Sequence, residues 1–211
     1  MSRFGRSLSS EYRKVRSTRL WWVFAIVLAG YSAMIAAMFA FMFGAMADLL
    51  GEAATTPQLP AHDVANMVYS SASSFGYVVP LLLGALTATG ELRHRTLGLT
   101  FTLEPKRGLV LLAKTVTLLG FGMVLGAAGL VGAIAAGAAT LQATRGDGIL
   151  GTAGTWLLLL RALVALGIWA IIGFGVGVLV KNQAFAIVLA LVFTQFIEPI
   201  LRSAAQFWDW S

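Results

Sequence analysis

The chain has 211 residues, of which 58% are hydrophobic and 11% charged, and its mean hydropathy is +0.83. That composition excludes a soluble globular domain and marks an integral membrane protein. The formal charge of +6 is accounted for by membrane topology, not by nucleic acid, and the absence of cysteine excludes disulfides, thiolate metal sites and a cysteine nucleophile.

The first 19 residues form a basic leader in which Phe4, Leu8, Tyr12, Val15 and Arg19 recur at helical spacing between serines and arginines. The pattern fits an interfacial helix with its apolar stripe in the acyl boundary and its arginines on anionic headgroups. A disordered positive-inside leader is the alternative. Trp21 and Trp22 then mark entry into the bilayer. The leader is too long, and the run after it too extended, for a secretory signal.

A bilayer-spanning helix needs roughly 20 apolar residues, and five stretches qualify: Leu20–Gly44, Asn66–Gly90, Leu109–Leu141, Trp156–Val180 and Gln183–Leu201. The fold class expected is all-α, a polytopic bundle of five membrane helices in one domain spanning residues 1–211. Twelve of the 15 Lys and Arg residues fall in the leader, in or just beyond the segment after the second span, and after the fourth span. The positive-inside rule makes these regions cytoplasmic. The amino terminus is then inside and, with five spans, the carboxyl terminus outside. His62 and His94 fall on opposite sides, so one chain is not expected to build a histidine metal site.

Residues 91–107, Glu-Leu-Arg-His-Arg-Thr-Leu-Gly-Leu-Thr-Phe-Thr-Leu-Glu-Pro-Lys-Arg, form a compact basic insertion between uncharged runs. Its first part can continue the second helix or restart as a short one, and Pro105 disfavours helical geometry at Glu104. Leu97, Leu99 and Phe101 need a surface to cover them, either another protein or the membrane face.

Here the residues resemble a known family. Glu91, Thr96-Leu97, Pro105-Lys106-Arg107 and then Lys114 at the start of the next span are similar in order to the type-2 permeases of ABC transporters. The leader motif Glu11-Tyr-Arg-Lys14 and the turn Gly177-Val-Leu-Val-Lys-Asn-Gln183 extend the resemblance over nearly the whole chain. Two features depart from it. Arg95 stands where the family commonly has glycine, and no sixth span follows the fifth before Trp208-Asp-Trp-Ser211.

The resemblance implies a permease dimer that exports a substrate across the plasma membrane with two cytoplasmic ATPase subunits. ATP and Mg²⁺ would bind on those partners, and this chain would hold no cofactor. It also implies that the segment after the second span is a coupling helix. Leu97, Gly98, Leu99 and Phe101 would make its apolar contact, beside Thr96. Arg93 and Arg95 would meet acidic groups, and Lys106, Arg107 and Lys114 would line the cytoplasmic end. Glu91 would stand at the hinge, paired with Lys114 or Arg95.

The sequence carries no G-x-x-x-x-G-K-[ST] phosphate loop. Gly173-Phe-Gly-Val-Gly177 lies inside an apolar helix and suits close helix packing, as do Gly122, Gly126, Gly129 and Gly132. Ser70, Ser71, Ser73 and Ser74 either line a polar route or bond backbone carbonyls, and Pro80 can kink their span. Met34, Met38, Phe39, Met42, Phe43 and Met46 form a pliable apolar surface that faces lipid or takes varied hydrophobic ligands. Arg161 is expected to pair with Glu198, tying the fourth span to the fifth near the outer surface. A noncatalytic scaffold or immunity protein, and a membrane-embedded enzyme, are the competing functions. The spans offer no His/Asp/Glu/Ser set at catalytic spacing to favour the enzyme.

Overall fold

A computed structural model describes residues 3–50, 60–93, 107–145 and 153–207. Five segments among them are long and apolar enough to cross a membrane: Leu20–Phe43, His62–Arg93, Gly108–Thr144, Gly154–Val180 and Gln183–Ala205. They match the expected spans in number and order. The elements are α1 (Arg3–Ser17), α2 (Leu20–Leu50), α3 (Ala61–Gly76), α4 (Val78–Arg93), α5 (Arg107–Arg145), α6 (Ala153–Val180) and α7 (Gln183–Val192). A π-helical turn (Phe193–Ile197) and α8 (Glu198–Phe207) complete the fifth span.

The long helix α5 is the axis of the bundle, packing against α1, α2, α3 and α6, while α4 packs chiefly against α6. Small residues permit these approaches because, inside a membrane, close backbone packing replaces the hydrophobic drive available in water. A Cβ at Gly132 would lie 2.2 Å from the Ala29 carbonyl oxygen, which fixes the α2–α5 crossing. At the α4–α6 crossing, a Cβ at Gly84 would lie 1.9 Å from the Ala170 oxygen, and one at Gly173 1.9 Å from that of Leu81. The glycines of α5 divide their work: Gly122 and Gly126 meet α6, whereas Gly129 and Gly132 meet α2. Met34, Met38 and Met42 point out of the bundle.

Two spans are irregular, each next to a proline. The second is broken at Tyr77, between α3 and α4. Pro80 lacks the N–H that would bond the Gly76 carbonyl, and its ring crowds that carbonyl. In the fifth span the π turn immediately precedes Glu198-Pro199. Pro199 makes the same demand on the carbonyl of Gln195, and the helix answers by widening one turn. Ser70, Ser71 and Ser73 donate to the carbonyls of Met67, Val68 and Ser70, so backbone bonding accounts for these three serines.

One expected contact is not made. Glu198 is not paired with Arg161: its Oε1 accepts from Arg202, one turn along the same helix, at 2.5 Å, and its Oε2 accepts from the Tyr77 hydroxyl at 3.0 Å. Arg161 is exposed on α6, among the outward-facing Leu157, Leu160 and Val164. A partner four residues away needs no interhelical fit, and the break at Tyr77 sets its hydroxyl beside the fifth span.

Candidate functional site: a buried charge cluster at the basic end

Helix α1 turns into α2 at a corner held by side chains. Thr18 Oγ1 donates to the Val15 carbonyl at 2.7 Å, beside the Thr18 N–H at 3.2 Å, and Trp21 Nε1 donates to the Arg16 carbonyl at 3.1 Å, so side chains help to satisfy the carbonyls of the helix end. The corner folds α1 back against α5. Val15 is buried with Leu28, Leu83, Phe121 and Leu125, and the Tyr12 ring stacks on Phe121 with centroids 5.6 Å apart. The inward part of the leader's apolar stripe therefore rests on protein, not in the acyl boundary as expected. Between α1 and α5 a cavity of about 740 Å³ remains, bordered by Leu8, Tyr12, Arg16, Trp21, Gly120 and Phe121.

Glu11 lies on that same inward face and is 2% exposed. It meets Lys114, likewise 2% exposed, with Oε2 2.5 Å from Nζ. Lys114 also donates to Oε1 of Glu91, near the end of α4. Lys14 closes the cluster, 2.5 Å from Glu11 Oε1 and 3.9 Å from Glu91 Oε1. The Lys114 ammonium lies 5.8 Å from the centre of the Phe174 ring on α6. Two carboxylates and two ammonium groups thus join α1, α4 and α5, with α6 beside them.

The electrostatics are those of a buried cluster that carries its own counterions. Burial by itself would raise the Glu11 carboxyl, but the neighbouring Lys114, and then Lys14, hold it below its ordinary value of 4.5. An isolated charge at this depth would be costly, whereas four charges of balanced sign and short contact are tolerated. Such a junction is stiff, because moving any one helix separates opposite charges in a poorly solvated place.

Of the residues expected at the coupling region, the structure brings Glu91 and Lys114 into contact. Arg93 is exposed at the end of α4, and Arg107 opens α5. Arg95, Thr96, Leu97, Gly98, Leu99, Phe101 and Lys106 lie outside the described residues. Glu198 and Arg161 belong to other parts of the bundle. Sequence reasoning did not assign Glu11 and Lys14 to this cluster. The available signal was an acid three residues after Leu8 and four before Val15, on the apolar face of an otherwise basic helix.

A family model described as ABC-2 family transporter protein matches residues 7–196. The chain belongs to that family. It is accordingly a multi-pass membrane permease subunit of an ABC transporter. The match takes in all four charges of the cluster and stops just short of Glu198. No curated protein and no solved structure matches the chain.

Proposed function

We propose that this ABC-2 permease is the membrane part of an exporter driven by a separate ATPase, which docks on residues 94–106 between α4 and α5. The observation that carries the reading is the double contact of Lys114 with Glu91 and Glu11. The docking segment leaves α4 two residues after Glu91, so a push on it reaches α1 and α5 through salt bridges instead of dissipating in a loose loop. The concentration of basic residues at this end supports a cytoplasmic orientation in the plasma membrane. On this reading Leu97, Gly98, Leu99 and Phe101 fill an apolar groove on the ATPase, and Arg93 and Arg95 meet its acidic groups. ATP and Mg²⁺ bind on the partner, and two copies of the permease complete the pathway.

The test is copurification from the native membrane in mild detergent, with ATP hydrolysis measured in the eluate. Intact chain should bring down a nucleotide-hydrolysing subunit. The triple variant Leu97→Ser, Leu99→Ser, Phe101→Ser should lose it while eluting as the same monodisperse species. A well-folded intact chain that brings down no ATPase would refute the reading.

A further inference from the structure

The two proline-linked irregularities, one in each of two spans, lie at the same level and face each other. In the π turn the Glu198 N–H bonds the Phe193 carbonyl, five residues back, where an α-helix would bond Thr194. The Thr194 carbonyl is thereby released, and it accepts from the Tyr77 hydroxyl at 2.9 Å. The same hydroxyl is 3.0 Å from Glu198 Oε2, so the single proton of one buried phenol is shared between a freed carbonyl and a carboxylate. Beside this junction is a cavity of about 260 Å³, bordered by Tyr31, Phe75, Tyr77, Gln195, Glu198 and Arg202. With a rise of about 1.5 Å per residue, Glu198 lies roughly 20 Å along the fifth span from Gln183. That is within the ~30 Å hydrocarbon layer, towards the end remote from the charge cluster.

A carboxylate at such depth, a π turn and aromatic walls together describe a site rather than a packing defect. We propose that this cavity binds the cationic head group of an amphipathic molecule, an ammonium or guanidinium, with Glu198 as counterion and the rings of Tyr31, Phe75 and Tyr77 as walls. Aromatic faces attract organic cations, and the attraction grows where water is scarce. Arg202 already supplies a guanidinium to Glu198, so it is the internal occupant that a ligand displaces. Displacement is inexpensive: the Arg202 side chain is 54% exposed, against 20% for Glu198. It can swing to the interface while the carboxylate stays. The volume suits a head group, whereas drug-sized ligands fill pockets of about 300–1,000 Å³. The tail would therefore extend into lipid.

As a statement about cargo this inference rests on the transporter reading. The test measures binding alone, so it can fail while ATPase capture succeeds, and the reverse. The full chain is reconstituted in nanodiscs, and uptake of dodecyltrimethylammonium is measured against empty nanodiscs, with the neutral monododecanoyl glycerol as control. Glu198→Gln should weaken binding of the cation by at least about tenfold, as expected when a partly buried cation loses its charged partner. Arg202→Ala should tighten it about two- to fivefold, the range for removing a competing exposed ion pair. Neither change should alter uptake of the neutral amphiphile. Equal binding by wild type and Glu198→Gln, or weaker binding by Arg202→Ala, would overturn the proposal. If Glu198→Gln does not fold, the Arg202→Ala arm decides alone: tightening supports the site, and no change or weakening rejects it.

Discussion

Replacing Lys114 by methionine tests whether the charge cluster is a structural junction. Methionine keeps most of the volume and removes the ammonium from between Glu11 and Glu91. Their side chains are 3% and 12% exposed, so two carboxylates would face each other with little water. Lys14 remains as a cation, but its side chain is 37% exposed and it lies 3.9 Å from Glu91, so it compensates only in part. Removing one member of a buried ionic group costs about 3–5 kcal/mol, and the residual Lys14 contact places the expectation near ~3 kcal/mol. For a chain of this size that corresponds to a fall of roughly 6–12 °C in thermal midpoint. The assay is thermal unfolding in maltoside micelles, with the triple variant Glu11→Gln, Glu91→Gln, Lys114→Met measured alongside. Neutralising the cluster should recover most of the loss, because buried ion clusters are often no more stabilising than neutral replacements. A single variant within about 2 °C of wild type, or a triple variant as unstable as the single, would refute the reasoning.

Acid should loosen the same junction. The folded-state pKa of Glu11 is depressed, so its contribution is present above the ordinary 4.5 and is lost as pH falls through the lower folded value. Wild type should lose thermal stability over that acid range, and Glu11→Gln should lack this component; parallel curves for the two would count against it. At the α4–α6 crossing, Gly173→Ala should cost about 1–3 kcal/mol, since its Cβ would meet the Leu81 carbonyl. Gly175→Ala, two residues on with nothing within 4 Å, should be neutral or stabilising by about 0.5–1 kcal/mol. Similar thermal midpoints for the two alanine variants would remove the close-packing argument. Lys181 sits at φ 58° in the turn from α6 to α7, so Lys181→Gly should raise stability by about 0.5–1 kcal/mol. A lower midpoint would mean that its side chain matters more than its backbone.

The sequence by itself determined the class, the five spans, their order and the basic end. These follow from hydropathy and charge along the chain, which lipid and water read locally and without reference to neighbours. It also disclosed Glu91 and Lys114 as notable, and the glycines of the fourth span as a packing surface. Glu11 was visible in the leader motif Glu11-Tyr-Arg-Lys14, but its contact with Lys114 was not, and the arginine chosen for Glu198 was the wrong one. The Glu11 contact depends on how helices lie against one another, whereas Arg202 is one turn from Glu198 on the same helix and needs no interhelical fit. Glu11 matters because the corner at Thr18 and Trp21 folds α1 onto α5, bringing together residues 103 positions apart. Glu198 also meets Tyr77 because two prolines interrupt two helices at one level. Pro80 and Pro199 are plain in the sequence, but that their defects face each other is set by helix packing. Side-chain partners across a bundle depend on rotation and depth, which the chain acquires only when its helices are assembled.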